Sequence, residues 1–406
     1  MADRKFVLDP KSGYWGLAEK ADEGSLRGLL SKKIKPCKCY NGVQVIALNT
    51  TEACNMRCIY CSTSTKRSGR MMPLDMATRT IDQTAGLTSP QIVFHGSESL
   101  FNMGLIKGAV EYGESIGREI GFSIQTNLTR LTPDRLSFLI DHKVGISTSL
   151  DGTEPEHNIT RPYRNGAPSY ADVKNAIERV LKQQEGISVV CVVTKYNVNN
   201  LPGIALDFEN LGISEVQFLP AVACSGNKDF MPLNADVARS YVSLFEQTFK
   251  RMEEGKQRIV VKNLSQYLSD IFLTTGVDAC RTCTPSAQHP ILAVDIDGEI
   301  YPCDFFWGDK ERSIGNVKTN SFSSLLNSPR NIRSVPIEDT SCGDCTWRNI
   351  CGGGCLGDRF FSAGKPYYCE THKAVFEYLT RNMDHLLESG LVRAVFDQVK
   401  ERFSLR

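Results

Sequence analysis

Cys54, Cys58 and Cys61 place three thiols within the eight residues Cys54-Asn-Met-Arg-Cys58-Ile-Tyr60-Cys61, at x3 and x2 spacing. The apolar run 43–48 and the polar Asn49-Thr50-Thr51-Glu52 precede them, so the thiols are expected on a loop leaving a buried strand. Thiolates hold iron-sulfur clusters, and a four-iron cluster normally takes four of them. Three local ligands leave one iron open to a substrate or cofactor. A second group of eight, Cys280, Cys283, Cys303, Cys342, Cys345, Cys351, Cys355 and Cys369, is enough for two fully ligated clusters. Within it, Cys342-x2-Cys345 with Cys351 and Cys355 also has the make-up of a four-thiolate zinc site. Cys37, Cys39, Cys191 and Cys224 belong to neither group.

The chain has 406 residues, 41% hydrophobic and 23% charged, which suits a folded protein with a large core and two or three domains. With 47 Lys plus Arg against 46 Asp plus Glu the net charge is +1, so no global field favours nucleic acid or an anionic membrane. The first residues carry no apolar signal core, and no apolar run of about 18 residues could span a bilayer. The expectation is a cytoplasmic protein. There, fifteen cysteines point to metal ligands or redox groups rather than a disulfide framework.

Residues 1 to about 40 are polar, show little periodicity and are expected to form an arm over the rest, with Lys32, Lys33 and Lys35 as a solvated face. From 43 to 220, apolar runs at 43–48, 91–95, 122–126, 145–150, 187–194 and 215–219 read as strands. Amphipathic stretches at 75–84, 103–116, 133–141, 170–184 and 201–211 read as helices between them. Such alternation argues for βαβ units and a parallel sheet, and six repeats argue for a partial α/β barrel. The expected strand ends are polar: His95-Gly96-Ser97-Glu98-Ser99, then Gln125-Thr126-Asn127, then Ser147-Thr148-Ser149-Leu150-Asp151-Gly152. In α/β barrels the chemistry gathers at these ends. Helices over 234–254 and 262–274 bridge to the second cysteine group, and residues 291–301 read as a hairpin about Asp297-Gly298 with Cys303 at its end. Two amphipathic helices, 373–387 and 392–403, follow the last cysteine.

The Cys-x3-Cys-x2-Cys run with Tyr60 before its last cysteine resembles the radical S-adenosylmethionine (radical SAM) superfamily. The order Cys283-x14-Gly298-x4-Cys303, then Cys342, Cys345, Cys351, Cys355 and Cys369, resembles the SPASM domain appended to many of its peptide-modifying members. The resemblance implies a partial (β/α)6 barrel at 43–232 and bridging helices at 233–274. A small Cys-rich SPASM domain at 275–375 and terminal helices at 376–406 follow, with residues 1–42 as an N-terminal arm.

The resemblance also implies SAM on the open iron of the cluster held by Cys54, Cys58 and Cys61, with Tyr60 beside the adenine. Gly96 and Glu98 stand in the turn that grips the SAM amino group, where Ser97 and Ser99 replace the family's second Gly and Pro. Asn127 falls near the cofactor and Ser149 at the ribose or carboxylate. Arg164, in the stretch 157–166 that reads as a loop, pairs with the SAM carboxylate, with Arg161 an equally placed rival. Two auxiliary 4Fe-4S clusters are implied, one on Cys280, Cys283, Cys303 and Cys355 and the other on Cys342, Cys345, Cys351 and Cys369. The short Cys280/Cys283 spacing leaves open whether the first keeps only three protein ligands. Asp304, directly after Cys303, matches the proposed base of the sulfatase-maturating enzymes.

By resemblance the chain is then an enzyme that cleaves SAM to a 5'-deoxyadenosyl radical and abstracts a hydrogen atom. Its expected substrate is a ribosomally made, Cys-containing precursor peptide, joined through a thioether. Oxidation of a sulfatase Cys or Ser to formylglycine and carbon-carbon crosslinking stand as alternatives, and a zinc or electron-transfer protein as a different class. A flavodoxin or ferredoxin is the implied electron donor.

Overall fold

The computed structural model describes residues 4–9, 14–19, 45–62, 68–87, 89–224, 227–273, 291–326, 342–362 and 366–404. Cys37, Cys39, Cys280, Cys283 and the lysines at 32, 33 and 35 lie outside them. In chain order the strands are β1 (Arg4–Asp9), β2 (Tyr14–Glu19), β3 (Val45–Asn49), β4 (Gln91–His95), β5 (Gly121–Thr126), β6 (Gly145–Ser149), β7 (Ser188–Val193), β8 (Glu215–Pro220), β9 (Val260–Val261), β10 (Ile291–Val294), β11 (Glu299–Tyr301) and β12 (Gly315–Asn316). The helices used below are α1 (Leu74–Asp82), α2 (Met103–Ser115), α3 (Pro133–Asp141), α4 (Glu154–Thr160), α5 (Tyr170–Leu181), α6 (Leu201–Asn210), α7 (Asn234–Glu253), α8 (Lys262–Leu273), α9 (Phe322–Leu326), α10 (Arg348–Cys351), α11 (Leu356–Phe361), α12 (Cys369–Arg381), α13 (Met383–Glu388) and α14 (Leu391–Ser404).

Strands β3 to β8 lie side by side in sequence order and are all parallel, as the alternation of short apolar runs and amphipathic helices predicts. Strands β4 to β7 bury alternate residues, as in the pattern of β5 and β7, because the pleat turns successive side chains to opposite faces, whereas β3 is buried at every residue from Ile46 to Asn49. Helix α3 shows how local signals set an element's edge. Pro133 opens it, where a missing N–H costs nothing, and the Thr132 hydroxyl accepts from Arg135 N at 3.4 Å.

The sheet does not stop at the six strands. The hairpin expected in the Cys-rich domain docks on the barrel's first strand, with β10 parallel to β3 in register Ile291↔Val45 through Val294↔Leu48. Its second strand β11 pairs antiparallel with β10, and β12 extends that edge. At the other edge Asn263 takes over where the two-residue β9 ends. Its amide accepts from Phe218 N at 2.8 Å and donates to Phe218 O at 2.9 Å, as a neighbouring strand would.

Two local expectations are corrected. Residues 157–160, read as loop, close helix α4, because Thr153-Glu-Pro-Glu156 is a start signal: the Glu156 carboxylate accepts from Thr153 N at 2.7 Å. The N-terminal stretch contains an antiparallel pair, β1 with β2, in register Arg4↔Glu19 to Asp9↔Tyr14. Phe6 meets Phe272 of α8 edge-on at 5.8 Å, so this pair lies on the bridging helices rather than over the barrel. Asn234 begins α7 where that helix is expected, and its side chain bonds outward: its Oδ1 accepts from Thr371 N at 2.9 Å and its amide donates to Tyr367 O. That ties α7 to α12 across a core containing Tyr241, Phe245, Tyr267 and Phe376, each such side chain contributing roughly 1.5–3 kcal/mol by burial. Among the described residues no helix is long and apolar enough to cross a membrane.

Candidate functional site

The Cys54–Cys61 loop leaves the C-terminal end of β3 and is held on two sides. Toward β4, Ser97 N donates to Thr51 O at 3.1 Å and Glu98 N to Ala53 O at 3.0 Å. Toward the segment after α4, Arg57 N donates to Pro162 O at 2.8 Å, Ile59 N to Thr160 O at 3.0 Å and Arg164 N to Asn55 O at 3.0 Å. These bonds fix the loop before any cofactor arrives. Cys54 is buried, while Cys58 and Cys61 are half-buried. Burial pushes the Cys58 thiol up to about 12, with the positive Arg161 opposing and the neighbouring Cys61 and Cys54 adding to the rise. The mutual influence of the three thiols reflects their convergence.

Gly96 permits the close approach of β3 and β4 at this end. Its φ of +117° suits glycine, and a Cβ there would stand 2.5 Å from Asn49 Oδ1 and 3.0 Å from Thr51 O. Glu98 is fully buried, with its carboxylate turned inward. It accepts from Asn127 N at 2.7 Å, Leu100 N at 3.2 Å and the Thr126 hydroxyl, stitching the ends of β4 and β5. Burial raises its carboxyl above the ordinary range, against the lowering by these three bonds and by Arg161. Asn127 meets the loop directly, donating to Asn55 Oδ1 at 3.1 Å, with its amide nitrogen 4.0 Å from Cys54 Sγ. Ser149 Oγ accepts from Gln125 Nε2 at 3.1 Å at the ends of β6 and β5.

Of the two rival arginines, the structure brings Arg161 and not Arg164 into this polar group. Arg164 is exposed and tied through its backbone alone, because the turn after α4 swings it to the rim. Arg161 is buried, and its Nη1 donates to Tyr60 Oη at 2.6 Å. The Tyr60 hydroxyl in turn donates to the fully buried Asp151 at 2.6 Å. Thus Tyr60 is held by a polar clamp as well as by its edge-on contact with Phe230. Asp151 follows the polar end of β6 and received no role from sequence; its signal was a carboxylate two residues beyond a strand end.

The described cysteines of the second group line two cavities. Cys342, Cys345, Cys351 and Cys369 line one, with Trp347, His372 and Lys373. Cys303, Cys355 and Asp304 line a larger cavity of about 190 Å³ between the end of β8, α8 and the turn after β11, with Cys351 on its wall too. The run Gly352-Gly353-Gly354, at φ of 63°, 84° and 72°, turns the chain so that Cys355 faces only the larger cavity while Cys351 stands on the wall between the two. Cys369, not Cys355, completes the set with Cys342 and Cys345, which disfavours the four-thiolate zinc arrangement read from the spacing. Among the described residues no group of three His, Cys, Asp or Glu side chains is arranged to hold a single metal ion. Soft thiols spread around a cavity suit the larger iron-sulfur cluster.

Asp304 opens a short 3-10 turn directly after the hairpin, and its Oδ1 accepts from Cys303 Sγ at 3.1 Å. Trp307, three residues on, packs its ring 5.5 Å from His95 at the end of β4. Cys224, unassigned from sequence, follows β8. Burial lifts its thiol to about 12, with Asp304, Cys355 and Cys61 adding to the rise, so members of both thiol groups act on it.

Residues 48–207 match the radical SAM superfamily, and residues 280–346 match SPASM, an iron-sulfur cluster-binding domain. A cysteine-type anaerobic sulfatase-maturating enzyme of Clostridium perfringens is 25% identical over 363 residues, covering 81% of this chain and 94% of that enzyme. The solved structure of anSMEcpe with bound AdoMet and a peptide superposes with a TM-score of 0.73 at 21% identity, over 85% of this chain and 99% of that one. Streptococcus suis SuiB bound to precursor peptide SuiA superposes at 0.61 and 15% identity, over 80% and 74%. The two superpositions show the fold. The domain matches establish an enzyme that uses S-adenosyl-L-methionine and 4Fe-4S clusters, and the chain carries a radical SAM domain followed by a SPASM domain.

Proposed function

We propose that this enzyme oxidises a cysteine side chain of a polypeptide substrate to an aldehyde, the formylglycine reaction of an anaerobic sulfatase-maturating enzyme. The observation that carries this reading is Asp304. Its carboxylate stands 3.1 Å from Cys303 Sγ, on the wall of the cavity that also presents Cys355. A relative named for that activity aligns over most of both chains, which favours this oxidation over the thioether crosslink expected from sequence. A thioether in a Cys-rich peptide remains the outcome that would replace it.

In this reading Cys54, Cys58 and Cys61 hold the SAM-binding cluster. Cys303 and Cys355, with Cys280 and Cys283, hold one auxiliary cluster, and Cys342, Cys345, Cys351 and Cys369 hold the other. When bound, SAM and the clusters supply a hydrogen-abstracting radical and a sink for one electron. The chain's own residues do the rest. Glu98, Asn127 and Gly96 shape the floor at the ends of β4 and β5, and Ser149 and Arg161 present polar groups at the end of β6. Arg164 remains at the rim. Asp304 takes the proton that leaves the substrate carbon or thiol as the second reducing equivalent departs. Hydrolysis of the resulting thioaldehyde releases sulfide and leaves the aldehyde. A flavodoxin or ferredoxin is the proposed source of the priming electron.

Anaerobic turnover of a Cys-containing sulfatase peptide tests the reading. An aldehyde trapped by a hydrazide, with one sulfide released per 5'-deoxyadenosine, supports it. A product that keeps its sulfur in a crosslink replaces it with the thioether reading. Asp304→Asn is expected to lower product formation by 10²–10⁴-fold, the usual weight of a positioned base, while deoxyadenosine formation continues.

A further inference from the structure

We infer that Arg161 is the fixed, buried counter-charge of the Cys54–Cys61 loop and raises the reduction potential of the cluster that those thiols hold. This rests on the ligand reading above and deepens it.

The geometry shows a cation placed with care and left without a direct anionic partner. Arg161 is only 7% exposed. Its backbone is tied at both groups, with N donating to His157 O at 2.7 Å and O accepting from Ser169 Oγ. His157, itself fully buried, is 3.1 Å from Ser169 Oγ through Nε2 and accepts from Asp151 N at 3.2 Å through Nδ1. The side chain reaches Tyr60, which lies between Cys58 and Cys61, and the preceding residue's carbonyl binds Ile59 N in the same loop. Arg161 is therefore clamped to the thiol loop from its backbone and from its guanidinium.

Among the described residues Arg161 makes no direct ion pair, and its Nε is buried with no hydrogen-bond partner. Asp151, the nearest anion through the hydrogen bonds, stands behind the Tyr60 hydroxyl. Its oxygens are already taken by Tyr60, Thr160 Oγ1 at 2.8 Å and Val192 N at 3.0 Å. A buried guanidinium left in this state is costly unless negative charge completes it. The thiolates of Cys54, Cys58 and Cys61 are the charge at hand. In a site from which water is excluded, a fixed cation stabilises the form with one more electron, because Coulomb interactions there are weakly screened.

An EPR-monitored redox titration of the anaerobically reconstituted full-length enzyme tests this, following the signal that SAM perturbs. Arg161→Gln is expected to lower its midpoint by at least a tenfold change in the one-electron equilibrium, ~59 mV. Asp151→Asn is expected to raise it, since it removes the opposing charge. Arg57→Gln, an exposed cation on the same loop, is expected to leave it in place. An unchanged midpoint in Arg161→Gln at full iron and sulfide content overturns the inference. Should that variant fail to take up iron, an unchanged midpoint in Asp151→Asn overturns it instead. The ligand reading fails separately, if Cys58→Ala keeps the SAM-perturbed signal.

Discussion

Asn49 and Asp295, 246 positions apart in the chain, meet in a buried hydrogen bond of 2.7 Å from Asn49 Nδ2 to Asp295 Oδ1. One closes β3 and the other follows β10, so the bond joins the start of the thiol loop to the hairpin that leads to Cys303. A second tie lies further out, where Arg70 bridges Glu52 at 2.7 Å and Asp297 at 2.8 Å. The outer tie is half exposed and contributes little. The inner one is buried, and Asp295 Oδ1 also accepts from Ile296 N at 2.8 Å.

Asp295→Ala leaves both of those donors without a partner, at about 1–3 kcal/mol each. The expected outcome is a clearly lower thermal unfolding midpoint, whereas Asp297→Ala changes it by less than about 1 kcal/mol equivalent. Equal, small effects in both variants would show that the hairpin's place on β3 does not depend on the buried bond.

What could be read in advance follows from the range over which each signal acts. The strand 91–95 and the helix 133–141 are set by local periodicity and by Pro133 with Thr132, and both appear where the pattern puts them. The order of the polar strand ends was legible for the same reason. The docking of β10 on β3 was not, because strand pairing across more than 200 residues leaves no local mark. The choice between Arg161 and Arg164 turns on α4, a two-turn helix in a stretch that reads as loop despite its capping box. With that helix in place, the buried arginine is the one just past its end. Asp151 was visible as a residue but not as a partner of Tyr60, since 91 positions separate them.

Tyr60→Phe tests the clamp without changing charge. It removes the acceptor of Arg161 Nη1 and the donor to Asp151, leaving buried charged groups unpaired, a change that typically costs about 3–5 kcal/mol. The expected result is a large drop in thermal stability together with slower uptake of iron by the Cys54–Cys61 loop. If the aromatic ring served the adenine alone, stability would hold and only the apparent affinity for SAM would fall.

Asp358 gives a pH signature. Burial raises its carboxyl from 3.8 to about 6, against the lowering by bonds from Tyr368 N, at 3.4 Å, and the Ser362 hydroxyl. A folded pKa above the unfolded one means that the folded state binds the proton more tightly. The stabilisation is therefore full below about 3.8 and is lost as pH rises through about 6. Between pH 5 and pH 7 the difference is about 1.3 kcal/mol, an order-of-magnitude figure. Asp358→Asn is expected to remove that much of the pH dependence of the unfolding midpoint; an identical slope in the variant would show that Asp358 titrates as it does in water.

The partition of thiols between two cavities makes a prediction that separates clusters from zinc and one cluster from the other. Cys369 shares its cavity with Cys342 and Cys345, while Cys355 shares the larger one with Cys303 and Asp304. Cys369→Ala is then expected to lose about four irons per chain and leave the environment of Asp304 intact, so that deoxyadenosine formation continues. Cys355→Ala is expected to lose a different set of about four and to abolish product formation, because Asp304, the proposed proton acceptor, loses the wall it stands on. Loss of a single zinc from either variant, or loss of the same irons from both, would mean that the glycine turn at 352–354 does not divide the thiols as the geometry indicates. Mössbauer spectra of the two enriched variants, taken beside iron and zinc counts, make the comparison direct.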